Sequence, residues 1–247
     1  DEIIEIDGYN YDSADKESLI ITTGENVINI YYTKRNDLSY KVNYLEKDTN
    51  KILSEQKTQT GVTFESTIVT KDEVIEINGY KYDSADKENL IITTGENVIN
   101  IYYTKATGLS YTVNYLDKDT NEVIHPAKTK DEMTFADEVN SQDEIIPIDG
   151  YNYDSADKET LMIGTSTNEI NMYYTKRTDL SYKVNYLEKD TEKILHTQKV
   201  QDKMTFKDTV TSANEVIEID GYNYNSVDKQ TLEITTGENV INIYYTK

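Results

Sequence analysis

The stretch Asp12-Ser13-Ala14-Asp15-Lys16 puts two carboxylates and a hydroxyl within four residues, enough oxygen to hold a divalent cation or to move a proton. It returns as DSADK at 83–87 and 154–158 and as NSVDK at 225–229, one copy every 71 residues. A calcium loop needs oxygen ligands alternating around a tight bend and an acid that closes the ring. Here the carboxylates pair as Asp12 with Asp15, Asp83 with Asp86 and Asp154 with Asp157, each pair three apart, with no Gly at the bend and no closing acid. The fourth copy has Asn225 in place of the first Asp and keeps Asp228. A solvated turn, in which Asp and Ser bond nearby backbone, uses the same residues. The expectation is therefore a turn and no cofactor, with calcium as the one candidate metal.

Other chemistry has less to stand on. His125 and His196 share one repeat offset, but Ser54 occupies it in the remaining full copy, so a catalytic or metal role would leave that copy dead. Ser–His–Asp arrangements, phosphate-cradling Gly loops and HExxH are absent, and no enzyme is expected. An intramolecular isopeptide bond needs a Lys beside an Asn or Asp on neighbouring strands, with a buried acid to shuttle protons. Lys41 with Asn100, and Lys183 with Asn242, are the candidate pairs, while Thr112 takes the Lys position in the middle copy. Tyr9 and Tyr11, with Tyr151 and Tyr153, project from one face of a strand, where they could stack on sugars or fill a core.

These residues ride on a repeat. Residues 1–34 and 72–105 differ at only four positions, and YYTK closes at Lys34, Lys105, Lys176 and Lys247. Such near-identity is the mark of a tandem array of one module. Three full units run 38–105, 109–176 and 180–247, separated by Arg35-Asn36-Asp37, Ala106-Thr107-Gly108 and Arg177-Thr178-Asp179. Residues 1–34 match the second half of a unit and lack the offset that holds Phe64, Phe135 and Phe206.

Within a unit, Tyr40, Val42 and Tyr44 alternate with Ser39, Lys41 and Asn43, the period of a half-buried strand. Lys47-Asp48-Thr49-Asn50 reads as a turn, and residues 51–58 return as a more polar strand. The stretches TFES (63–66), TFAD (134–137) and TFKD (205–208) follow, where a Thr cap and an acid predict a short helix over the sheet. GYKYD then reads as strand, and LIITTGENVINIYYT as a hairpin turning at Gly95-Glu96-Asn97. Each unit is thus an α+β, β-rich module, small enough to need dense aromatic packing or neighbours for stability. The 22 Tyr and absent Trp fit that need.

A net charge of −21 opposes nucleic acid and anionic lipid, which require clustered Lys and Arg. No apolar run is long enough to span a bilayer, so no membrane insertion by this segment is expected. The absence of Cys excludes disulfides and thiolate zinc sites. Three-residue linkers restrict flexing between units, and the array reads as an elongated, monomeric rod.

The run Tyr111-Thr112-Val113-Asn114-Tyr115-Leu116-Asp117-Lys118-Asp119-Thr120-Asn121-Glu122-Val123-Ile124, the step Ile148-Asp149-Gly150-Tyr151 and the ending Asn171-Met172-Tyr173-Tyr174-Thr175-Lys176 together resemble the MucBP (mucin-binding protein) repeat of Gram-positive bacterial surface proteins. The resemblance covers all three units and the half unit. It implies β-grasp-like (ubiquitin-like) modules and an extracellular location with cell-wall anchorage through regions outside this fragment. It also implies adhesion to host mucin or other glycoconjugates. With that resemblance the chain is expected to be a stalk of a surface adhesin acting as a spacer, the alternative being weak glycan-binding modules made effective by repetition.

Overall fold

A computed structural model describes residues 3–247. The chain forms two compact units, one of the residues up to Leu109 with Thr134–Ala136, the other of Ser110–Met133 with Asp137–Lys247.

In the first unit, β1 (Tyr9–Ala14) pairs antiparallel with β2 (Ile30–Lys34). The full repeat that follows contains β3 (Leu38–Glu46), β4 (Ile52–Val62), β5 (Thr67–Val69), β6 (Tyr80–Ala85), β7 (Asn89–Ile91) and β8 (Val98–Lys105). The main sheet has the order β4-β3-β8-β6. Its centre is the parallel pair β3–β8, with Val42 beside Ile99 and Tyr44 beside Ile101, and both outer strands run antiparallel. The alternation read from sequence sends Leu38, Tyr40, Val42 and Tyr44 inward with Ile99, Ile101 and Tyr103. In the second unit the same pattern is built by Leu180–Glu188, Ile194–Met204, Asn223–Val227 and Val240–Thr246. Leu109–Asp117, Val123–Met133, Tyr151–Ala156 and Glu169–Lys176 form the remaining four-stranded sheet.

Two sequence expectations are corrected. The TFES, TFAD and TFKD stretches are turns, because Glu65, Ala136 and Lys207 take positive φ (60°, 63° and 66°), which stops a right-handed helix at its first turn. What helix there is lies a few residues later, as one 3₁₀ turn at Thr70–Glu73 and its counterparts Ser141–Glu144 and Ser212–Glu215. The LIITTGENVINIYYT stretch turns as expected, yet its arms do not pair with each other. β7 joins β5 in a separate two-stranded sheet, which lets Leu90 and Ile92 enter the core from above. Asn97 makes this departure possible. Its carboxamide accepts from the Thr93 amide at 2.9 Å and donates to the carbonyls of Thr93 and Ser39 at 2.9 and 3.1 Å.

The core is polar at chosen points, and tyrosine hydroxyls do that work. Tyr103, 1% exposed, accepts from the Ile75 amide and donates to the Ile75 carbonyl at 3.1 and 2.9 Å, clamping the segment between the 3₁₀ turn and β6. Tyr32 holds Ile4, Tyr174 holds Ile146 and Tyr245 holds Ile217 in the same way. A second group surrounds a buried acid: Tyr40 donates to Glu73 Oε1 at 2.7 Å and Lys57 to Oε2 at 2.5 Å. Tyr111, Glu144 and Lys128 repeat it, as do Tyr182, Glu215 and Lys199. Burial of the phenols, then the neighbouring carboxylates, push the Tyr40, Tyr111 and Tyr182 hydroxyls to higher pKa.

Two outcomes follow from these bonds. Tyr245→Phe keeps the ring but strands the Ile217 amide and carbonyl, and should cost about 1–3 kcal/mol, read as a lower urea midpoint at unchanged slope. The raised phenols contribute stability that is complete below the free phenol value of about 10 and lost as pH climbs through the folded values. Alkaline titration should therefore show tyrosinate absorbance of the core residues rising together with loss of circular dichroism. Core tyrosinate formed while the sheet signal is intact would contradict this.

Candidate functional site

The DSADK stretch straddles a bulge. Strand register slips between Tyr82 and Ser84, which turns Asp83 outward to Lys47 at 2.8 Å and to the Ser84 hydroxyl at 2.7 Å. Asp154 meets Lys118 and Ser155 likewise, and Asp12 meets Ser13. The second acid fastens the closing strand: Asp86 accepts from the Asn100 backbone and side-chain amides at 2.9 and 3.1 Å. Asp15 does the same to Asn29, Asp157 to Asn171 and Asp228 to Asn242. The Lys of the motif ties in as well, Lys87 donating to the Val98 carbonyl at 2.5 Å. Donated amides hold the Asp15 carboxyl below its ordinary pKa, and the Lys47 ammonium does so for Asp83. The two acids of one copy thus serve different partners. Among the described residues no group of three or more His, Asp or Glu side chains is arranged to hold a metal.

The cross-link candidates are placed apart in register. Lys41 lies beside Val98 and Lys183 beside Val240, whereas Asn100 is opposite Asn43 and Asn242 opposite Asn185. The facing asparagines bond each other at 2.8 and 2.9 Å, and Asn100 and Asn242 also donate to Asp86 and Asp228. His125 and His196 are exposed on outer strands, each edge-on to a core tyrosine. Of the tyrosine candidates, Tyr11 is exposed and packs edge-on to Tyr32, while Tyr153 is half-buried against Tyr174.

Tyr9 and Tyr151 belong to a different site, one built across successive repeats. The Phe64 ring stands edge-on to Tyr9 and directly over Gly8. A Cβ added to Gly8 would fall 2.4–2.5 Å from three adjacent ring carbons. Equal distances to three ring atoms put that point on the ring axis, so a glycine Cα–H bond aims at the centre of the π face. Phe135 covers Gly79 beside Tyr80, and Phe206 covers Gly150 beside Tyr151, at the same distances. These glycines have φ of 79°, 80° and 77°, a region that independently favours Gly. The linker residue between them completes the joint. Arg35 donates its amide to the Gly8 carbonyl at 2.9 Å, and its carbonyl accepts from the Phe64 amide at 2.8 Å. Ala106 links Gly79 to Phe135, and Arg177 links Gly150 to Phe206, through the same two bonds. Around the first joint Thr94 donates to Asp7 and Lys34 pairs with Glu65, both exposed; Thr236 donates to Asp149 at the third. In the sequence Phe recurs at 64, 135 and 206 and Gly-Tyr at 8–9, 79–80, 150–151 and 221–222, but neither motif carries a local mark of the contact between them.

No protein-family model and no curated protein matches the chain. Among solved structures it is similar to streptococcal SHIRT (high identity repeats in tandem) domains 3–4 from a cell surface protein, at 14% identity and TM-score 0.24, covering 56% of this chain and 98% of that one. It is also similar to Mub-RV (14% identity, TM-score 0.21, 84% and 97% covered) and to a type 2 repeat of the mucus binding protein MUB from Lactobacillus reuteri (13%, 0.21, 84% and 98%).

The joint and the acidic motif each yield an expected outcome. Gly150→Ala meets the Phe206 ring as well as unfavourable φ, whereas Gly221→Ala, with φ 76° and nothing within 4 Å, meets only the latter. Gly150→Ala should cost about 1–3 kcal/mol more than Gly221→Ala, the range for forcing an extra carbon into a filled contact; equal losses would remove the joint from the energetics. Because each acid of DSADK is taken by a different protein partner, chelator should leave the melting temperature unchanged at constant ionic strength. A steep drop restored by calcium and not by magnesium would reverse that assignment.

Proposed function

We propose that the chain is a spacer segment of a bacterial surface adhesin, with repeats 38–105, 109–176 and 180–247 preceded by the second half of another, 1–34. The reading rests on one observation: Phe64, Phe135 and Phe206 each sit over a bare glycine that precedes the linker, with the same two backbone bonds. A joint made in one way at every step favours a fixed relation between neighbours, which is what a stalk needs and a string of independent binders does not. The parallel central strands support a β-grasp relation, and the MucBP resemblance supports an extracellular, wall-anchored context without enzymatic activity. Three modules in line, each of radius of gyration near 11 Å for its size, would span roughly 90–130 Å. Small-angle scattering should find a maximum dimension in that range, and the value of a compact globule of the same mass would reject the reading.

A second reading has its own observation. Tyr11, Tyr82 and Tyr224 are half-exposed and rise beside open grooves of about 740, 660 and 720 Å³, in the half repeat and in repeats 38–105 and 180–247. An aromatic face beside a groove of mixed polar and apolar lining suits a sugar ring, and repetition would lend avidity to weak sites. Host mucin or other glycoconjugates would be the partner. Immobilised mucin glycans should retain the whole chain and lose it on combined Tyr11→Ala, Tyr82→Ala and Tyr224→Ala substitution; no retention of the whole chain removes the reading.

A further inference from the structure

The last repeat carries the glycine half of the joint without its ring. Gly221 has φ 76°, and Tyr222 donates its amide to the Ile219 carbonyl at 3.0 Å, as Tyr9, Tyr80 and Tyr151 do to Ile6, Ile77 and Ile148. The backbone of the socket is therefore already in the shape that receives a phenylalanine elsewhere. Yet Gly8, Gly79 and Gly150 are buried, Gly221 is exposed, and a Cβ at Gly221 would meet nothing within 4 Å. The surrounding groups are present too. Asp220 corresponds to Asp7 and Asp149, which accept a threonine hydroxyl, and Lys247 corresponds to Lys34, which pairs with the acid after Phe64. We propose that Asp220, Gly221, Tyr222 and Lys247 form a docking surface for the Thr-Phe turn of a further repeat of this type. The three Phe turns of this chain are all engaged, so the occupant is a fourth turn brought by another repeat.

Two features set the selectivity of the surface. The ring must be flat and unsubstituted on the face that the glycine meets, and the backbone before it must accept and donate one hydrogen bond each, as Arg35 and Arg177 do. A loose hydrophobic side chain meets the first requirement poorly and the second not at all. The surface depends on the joint itself and is independent of whether the array acts as spacer or binder.

Ring currents make the test direct. A glycine Hα aimed at the centre of a phenyl face resonates far upfield, so Gly8, Gly79 and Gly150 should each show one strongly shifted Hα in the present chain, and Gly221 neither. The whole chain is then lengthened at Lys247 by Arg-Thr-Asp and a second copy of residues 180–247. The proposal expects one Gly221 Hα to move upfield into the range of Gly150, and the appended Phe→Ala change to return it while Gly150 stays shifted. Gly221 unmoved beside a shifted Gly150 overturns the docking surface and leaves the internal joints standing. Gly150 unshifted in the present chain overturns the joint and the proposal together.

Discussion

A glycine without a side chain, pressed against the face of a phenylalanine, is the constraint on which the rest of the array depends. No other residue allows a ring axis to point at Cα from this distance, and the positive φ adds a second reason for Gly. The linker is caught in the same construction, because its first residue must donate to the glycine carbonyl and accept from the phenylalanine amide. Both bonds are backbone bonds. That explains why linker length is constant while composition is free: Arg35-Asn36-Asp37 and Arg177-Thr178-Asp179 close with an Arg–Asp fork, and Ala106-Thr107-Gly108 has no charge at all.

Inside each sheet the corresponding economy is the tyrosine hydroxyl. A module of this size has a short core perimeter, so segments that cross its ends cannot all be tied by ladder bonds. Phenylalanine would fill the volume at Tyr103 or Tyr245 and leave a backbone amide and carbonyl unpaired. Tyrosine fills it and closes both. The buried Glu73, Glu144 and Glu215 extend the same logic at greater risk. Each is compensated by one hydroxyl and one ammonium, and removal of either partner would leave a charge in a poorly solvated place, a loss larger than what the pair contributes.

Strands were legible because alternation has one cause, a sheet with one face buried, and Leu38, Tyr40, Val42 and Tyr44 display it plainly. Pairing was less so. The parallel β3–β8 contact joins segments far apart in sequence, and the GEN turn looked like a hairpin because adjacent strands usually pair. What diverted β7 was Asn97, whose carboxamide does the work that hairpin hydrogen bonds would have done. The expected helix at Thr63 failed for a local reason that composition hides, a left-handed Glu65. The acidic motif, expected as a solvated turn, begins inside a strand at a bulge, and the partners of its second acid, Asn29, Asn100, Asn171 and Asn242, on or just before the closing strand, carry no local mark. The joint was least legible of all: its halves sit on different repeats, and only the constant offset of Phe and of GY connects them.

The half repeat at the start of the described chain separates what each half of a module contributes. Ile21 is 76% exposed, whereas Ile92 at the same offset in the full repeat is wholly buried in a cluster with Leu38, Tyr40, Val42 and Tyr44, side chains of the half that 1–34 lacks. Yet the half repeat retains its bulge at Asp12, the Asp15–Asn29 fastening, the Tyr32 clamp on Ile4 and a Gly8 that receives Phe64. The socket thus belongs entirely to the second half of a repeat, and the ring that fills it to the first half of the next. Loss of core burial and loss of the joint are therefore separable events along this chain. A repeat can be loosened internally while its connection persists, because the connection is made by a glycine turn, one clamp and three backbone residues that need no complete core beneath them.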